Sequence, residues 1–197
     1  STAIGYQAGY ANTTGEVTAI GRKALYSNTT GSGNSAFGHL ALQVNTTGSS
    51  NTAVGSYDIA NGNIPAPLYA NTTGSYNTAV GTGALQANTT ASNNTAVGYQ
   101  AGYSNTTGGE VTAVGANALN SNTTGTDNSS LGVLSMYNNT TGGYNTAMGR
   151  AALYGNTTGN ANISIGNYTL FANTTGGNNV AVGYQALNAN TTASNNT

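Results

Sequence analysis

The sequence has no cysteine, only two prolines and very little charge. Without cysteine, disulfide bonds cannot stabilise the fold, and thiols give no indication of the redox compartment. Charged residues make up 4% of the 197 residues, against roughly 25% in typical soluble domains. Three basic residues are too few for the basic patch that binds phosphates, so we expect no nucleic-acid partner.

Long apolar runs and targeting signals are also missing. No stretch approaches the run of about 18 apolar residues that a membrane-spanning helix needs, so we expect no membrane span. The sequence has neither an initiator methionine nor a secretory signal. It stops at Thr197, in the middle of a repeat unit. We therefore expect a processed chain or a piece of a longer protein.

Side chains suited to catalysis are scarce. His39 is the only histidine, and no cysteine or carboxylate cluster accompanies it to form a catalytic base or a zinc site. We interpret it as a lone surface residue. Glu16 and Glu110 occupy equivalent positions before Val-Thr-Ala, which indicates drift between repeats and not a catalytic carboxylate pair. We expect no enzymatic activity, no cofactor and no metal ion.

Asparagine, threonine and glycine dominate the composition, and they recur with one period. The triplet Asn-Thr-Thr begins at Asn12, Asn28, Asn45, Asn71, Asn88, Asn105, Asn122, Asn139, Asn156, Asn173 and Asn190. A glycine keeps step with it at Gly5, Gly21, Gly38, Gly55, Gly81, Gly98, Gly115, Gly132, Gly149, Gly166 and Gly183. Both markers advance by 17 residues, apart from one step of 16 and one of 26. Such agreement excludes chance.

A 17-residue unit is too short for helical-pair repeats, which run to about 33 residues or more, and it fits one turn of a β-solenoid. We predict an all-β fold: a single domain over 1–197, built as a parallel β-solenoid of eleven coils. Thr78–Val80 exemplifies the first strand, and Gly81 forms a corner that excludes a side chain or requires positive φ. Tyr99–Ala101 and Ala118–Leu119 exemplify a second strand. Coils spaced by about 4.8 Å would give a rod of about 50 Å.

Each predicted strand carries two adjacent apolar residues, such as Ala79 with Val80 and Ala84 with Leu85. Neighbouring side chains in a strand point to opposite faces, so one of each pair must face outward. We expect alanine to be the outward residue in both strands. An apolar stripe along a whole solenoid is large for a monomer, which favours a homo-oligomer, and most simply a parallel homotrimer. A monomer in which exposed alanine is tolerated is the alternative.

Several strand segments resemble the head repeat of trimeric autotransporter adhesins of the YadA type, and similar repeats occur in phage tail fibres and large bacterial surface proteins. The matching segments are Ser1–Gly5, Asn34–Gly38, Asn51–Gly55, Asn77–Gly81, Asn94–Gly98 and Asn145–Gly149. The resemblance implies a left-handed β-roll, trimerisation and an extracellular, adhesive or receptor-binding role on a cell surface or virion fibre. A surface glycan or a host receptor would be the partner.

Every Asn-Thr-Thr is also an acceptor for N-glycosylation, and further sequons begin at Asn93, Asn128, Asn138, Asn162, Asn167 and Asn195. A glycan on every coil would form a sugar stripe that keeps an almost uncharged filament from sticking to its neighbours. Alternatively, the side chains form hydrogen-bonded turn ladders. A third hypothesis is ice binding, which requires the asparagine and the second threonine to lie on one flat face.

The fourth unit is longer than the others by nine residues, the difference between 26 and 17. The extra length falls near Ser56–Ile64, followed by Pro65 and Pro67, and we predict a loop over about 56–67 before the solenoid resumes at Leu68. Loops that interrupt a repeat often bind partners. A solvated bulge without a ligand explains the insertion equally well. The candidate receptor contacts in this loop are Tyr57, Asp58 and Ile59. Outside the loop, Tyr6, Tyr99 and Tyr184 could stack on sugars or simply pack against their neighbours.

Overall fold

One short strand from each coil contributes to a single parallel sheet. The computed structural model describes residues 1–60 and 63–197. The strands are β1 (Thr2–Ile4), β2 (Val17–Ile20), β3 (Asn34–Phe37), β4 (Thr52–Val54), β5 (Thr78–Val80), β6 (Thr95–Val97), β7 (Thr112–Val114), β8 (Ser129–Leu131), β9 (Thr146–Met148), β10 (Ile163–Ile165) and β11 (Val180–Val182). Their order in the sheet is their order in the chain.

Equivalent residues lie beside one another in neighbouring coils. Thr95 pairs with Thr112, Ala96 with Ala113, and Val97 with Val114. The same register continues through the 26-residue step, where Ala53 pairs with Ala79. The predicted all-β parallel solenoid of eleven coils is therefore confirmed.

The strand alanines face the interior, so the prediction that they point outward is wrong. Ala96 is fully buried, whereas 37% of Val97 is exposed. The interior of so short a coil is narrow, and leucines from the opposite side fill it, including Leu85 and Leu119, which are also fully buried. A methyl group fits in the remaining space and a valine does not, so the larger β-branched side chain turns outward.

The predicted second strand is also wrong. On that side of each coil, alternate residues have positive φ, as at Gln100 (52°), Asn117 (55°) and Leu119 (52°). An extended strand requires negative φ throughout, so the segment is a series of turns. Its backbone still forms hydrogen bonds between coils. Asn117 N donates to Tyr99 O in the preceding coil (2.8 Å), and Leu119 N donates to Ser135 O in the following coil (2.9 Å).

A column of leucines forms the largest part of the core. Its fully buried members are Leu25, Leu42, Leu68, Leu85, Leu119, Met136, Leu153 and Leu170. Burying one such side chain contributes about 1.5–3 kcal/mol. That contribution explains how non-glycine residues are held with positive φ, which costs about 1–2 kcal/mol per residue.

The corner glycine has both properties that the sequence suggested. Gly115 has a φ of 127°, and a Cβ atom there would lie 2.7 Å from the carbonyl carbon of Gly132 in the next coil. The coils are therefore packed backbone to backbone at this corner, which only glycine permits.

Candidate functional site

The asparagines predicted to carry glycans lie inside the solenoid. Asn12 and Asn190, in the end coils, are half-buried. The others are fully buried: Asn28, Asn45, Asn71, Asn88, Asn105, Asn122, Asn139, Asn156 and Asn173. Asn122 Nδ2 donates one hydrogen bond to Asn105 Oδ1 (2.8 Å) and one to Gly125 O (2.9 Å). A glycan would have to replace one of these protons and occupy packed interior, so this geometry opposes glycosylation and matches the turn-ladder interpretation.

A second column of buried asparagines lies at the start of the strands, and it was not predicted from the sequence. Asn77 Oδ1 accepts a hydrogen bond from the backbone N of Asn94 (3.1 Å), and Asn77 Nδ2 donates to Ala91 O (2.9 Å). The asparagine that regularly precedes Thr-Ala-Val in the sequence could have indicated this column. Sequon residues Asn128 and Asn162 belong to this column and are also fully buried.

The two threonines of each triplet have different surroundings. Thr106 Oγ1 donates a hydrogen bond to Thr123 O in the next coil (2.9 Å). Thr107, the second threonine, is exposed, whereas Asn105 points inward. The asparagine and the second threonine therefore do not share a face, and the flat array required by the ice-binding hypothesis does not form at this turn.

The outward side of the β1–β11 sheet, here called the outer face, has two columns of side chains. The apolar column contains Ile4, Ile20, Phe37, Val54, Val80, Val97, Val114, Leu131, Met148, Ile165 and Val182. The second column is Thr or Ser from β1 to β9 and becomes Ile163 and Val180 in the last two strands. Most of the apolar column is exposed, and none of it is fully buried. The result is one continuous apolar stripe along the sheet.

The candidate binding residues lie at the start of the inserted loop. Asp58 and Ile64 exchange two backbone hydrogen bonds, each of 2.9 Å, in an antiparallel bridge. Tyr57 and Asp58 are half-buried, whereas 69% of Ile59 is exposed. The loop returns at Pro65, whose carbonyl accepts from Gly83 N (3.0 Å), and the solenoid resumes at Leu68 as predicted. Residues 61–62 of the predicted loop lie outside the described residues.

Beside this loop lies a group of basic and aromatic side chains, here called the corner cluster: Arg22, Lys23, Tyr26, His39 and Tyr57. Arg22 Nη1 and His39 Nε2 are 2.8 Å apart. The His39 and Tyr57 rings meet edge to face, with centroids 5.9 Å apart. Lys23 Nζ lies 5.2 Å from the ring centroid of Tyr26. The cluster contains two of the three basic residues and the only histidine.

Arginine cannot accept a hydrogen bond, so His39 Nε2 is the acceptor and the neutral ring carries its proton on Nδ1. Burial, followed by the positive charges of Arg22 and Lys23, lowers the pKa of His39 below its ordinary value of 6.5. His39 lies at the surface as interpreted, but the prediction that it stands alone is wrong, because it contacts Arg22 and Tyr57. Its separation of 17 residues from Arg22, one repeat period, was the signal that places the two side chains together.

The three tyrosines that follow corner glycines are exposed. They are Tyr6, Tyr99 and Tyr184, and the Tyr184 ring meets that of Tyr168 edge to face, with centroids 6.5 Å apart. Their role in sugar stacking stays a prediction.

Residues 1–60 and 63–197 contain no group of three or more metal-ligating side chains and no helix that could cross a membrane. No protein-family model matches the chain, and no curated protein or solved structure matches it.

Proposed function

We propose that the chain is a segment of an extracellular structural or adhesive fibre, as in an adhesin head or a tail-fibre shaft, and that it is not an enzyme. The observation that carries this proposal is the apolar column of the outer face, which runs from Ile4 to Val182 without interruption. Exposed apolar stripes of this extent are unusual on monomers and are typical of association surfaces. Copies of the chain that cover one another's outer faces would form a rigid rod.

The distribution of side chains on the outer face favours a parallel arrangement of copies, as in a homotrimer. Ile163 and Val180 make the last two rungs apolar in both columns, whereas the first rungs carry Thr2 and Thr18. Parallel, in-register copies place the apolar rungs against one another. Antiparallel copies would set them against threonine hydroxyls, which lose hydrogen bonds to water when buried. A filament with a glycan on the Asn-Thr-Thr turn of every coil lacks such support, because the asparagines of those turns are buried in all but the end coils.

The test is the oligomeric state in solution, measured by native mass spectrometry and sedimentation. We expect a trimer for the wild type and monomers for the Val97→Lys, Val114→Lys double variant, because two charges on each chain would meet in the interface. Val133→Lys is the control, since Val133 is also an exposed valine (46%) but lies after the corner glycine, off the outer face. A monomeric wild type, or dissociation by the control alone, would refute association through this face.

A further inference from the structure

The corner cluster concentrates features that are rare in the rest of the chain. Arg22 and Lys23 are two of the three basic residues, and His39 is the only histidine. The single insertion contributes Tyr57. The solenoid itself does not require this chemistry, because other coils carry Thr82 or Ala116 at the position equivalent to Arg22. The cluster therefore needs an explanation beyond the stability of the coil.

The two cations of the cluster are held in place by their neighbours. Arg22 is exposed, and its guanidinium donates to His39, which in turn packs against the Tyr57 ring. Lys23 is half-buried over Tyr26, whose other neighbour is the stacked ring of Tyr10 at a centroid distance of 5.2 Å. An oriented guanidinium has a planar fork of donors that matches a carboxylate or sulfate group. Restricting both side chains beforehand reduces the entropy lost when an anion binds.

We infer that the corner cluster binds the carboxylate or sulfate group of an acidic saccharide. Two cations suit a single anionic group and are too few to follow the phosphate backbone of a nucleic acid. Tyr57, which packs on His39, and Tyr26 with its stacked neighbour Tyr10 supply aromatic surface to the cluster, which suits the ring of a sugar. This inference rests on the proposed adhesive function and names the class of ligand to which the fibre would adhere.

The test uses the whole chain and calorimetric titration with three probes: an oligogalacturonate for the carboxylate, a dextran sulfate oligosaccharide for the sulfate, and neutral dextran. We expect at least one acidic probe to bind and neutral dextran not to bind. Arg22→Gln and Lys23→Gln should each weaken binding by roughly tenfold or more, as loss of a charge-assisted hydrogen bond does. Arg150→Gln is the matched control, because Arg150 is the remaining basic residue and occupies the position equivalent to Arg22.

Binding that is equally weakened by Arg150→Gln would reveal nonspecific attraction to charge and overturn the inference. Absence of binding to both acidic probes, or binding unaffected by Arg22→Gln and Lys23→Gln, would also overturn it. Native mass spectrometry of the same samples separates this result from the proposed association. A trimer without saccharide binding refutes only the ligand site, whereas a monomer that binds the saccharide refutes only the association.

Discussion

Asn139 Nδ2 donates a hydrogen bond of 2.8 Å to Oδ1 of Asn122, the equivalent residue one coil earlier. Its second proton goes to Gly142 O, three residues later in its own turn (2.9 Å). The arrangement is repeated along the described turns, so each amide closes its own coil and binds the coil before it. Each buried asparagine of the ladder thus has both of its side-chain N–H groups hydrogen-bonded, which avoids the free-energy cost of burying an unpaired polar group.

Removing one member of this ladder should destabilise the rod substantially. We expect Asn122→Ala to lower the free energy of unfolding by about 2–4 kcal/mol, because Asn139 loses an acceptor and Asn105 Oδ1 loses a donor inside the core. Urea unfolding followed by circular dichroism measures the change. Asn190→Ala is the control, since Asn190 is half-buried in the last coil. Equal effects at both positions would contradict a role for the internal ladder.

The corner glycines allow two causes of strain to be separated. Gly115 and Gly183 have similar φ, 127° and 123°, but a Cβ at Gly183 would meet nothing within 4 Å. Alanine at either position carries the backbone strain, about 1–3 kcal/mol. Only Gly115→Ala also pushes against the backbone of the next coil, so we expect it to lower the urea midpoint more than Gly183→Ala does. Indistinguishable midpoints would show that close approach of the coils adds nothing.

Two coils replace core alanines by hydroxyl residues in pairs. Ser130 and Ser135 hydrogen-bond through their hydroxyls, at positions where the preceding coil has Ala113 and Ala118. Ser164 likewise donates from Oγ, to the backbone carbonyl of Thr169 (2.9 Å). A strand serine is thus matched by a second hydroxyl residue five positions later.

A double-mutant cycle tests whether the serine pair acts as a unit. Ser130→Ala should destabilise the protein, because it leaves the buried Ser135 hydroxyl without its partner. Ser135→Ala should destabilise it less, because Ser130 Oγ can still donate to the backbone carbonyl of residue 135. The double variant has the alanine pair of the preceding coil, so we expect it to lie within about 1 kcal/mol of wild type, with a coupling of about 0.5–3 kcal/mol. Additive effects in urea unfolding would show that the hydroxyls are independent.

The periodicity of the sequence was sufficient to predict the parallel sheet and its register, because equal spacing places equal residues in line. It could not decide which residue of the pair Ala96 and Val97 faces inward. Strand alternation only separates the two faces, and the choice depends on how much space Leu85 and Leu119 leave across the coil. Positive φ at residues such as Gln100 and Leu119 is also invisible in the sequence, since neither residue type favours it.

Some features of the candidate site could likewise be predicted from the sequence, and others could not. The position of the insertion was predicted, because it breaks the period between Gly55 and Gly81. The Asn-Thr-Thr sequence could not decide between a glycan stripe and a hydrogen-bonded turn ladder, because that choice depends on whether the asparagines face inward, where stacking provides each with partners. The contact between His39 and Arg22 follows from the period, because residues 17 positions apart lie beside each other in neighbouring coils.

His39 should give the protein a measurable dependence of stability on pH. Its pKa is lowered in the folded state, chiefly by burial and then by Arg22 and Lys23, so the unfolded chain binds more protons once the pH falls below 6.5. Stability should therefore be unaffected by His39 at higher pH and should decrease as the pH falls through 6.5 towards the folded-state pKa. Urea midpoints measured between about pH 7.5 and 5 give the slope.

Two variants identify the source of that slope. His39→Asn should abolish it in this window, because His39 is the only histidine in the chain. Arg22→Gln should reduce the slope without abolishing it, since burial and Lys23 still disfavour the imidazolium. Protonation also converts Nε2 from an acceptor into a donor, which breaks its hydrogen bond with Arg22. A slope that persists in His39→Asn would show that His39 is not its source and contradict this account of the cluster.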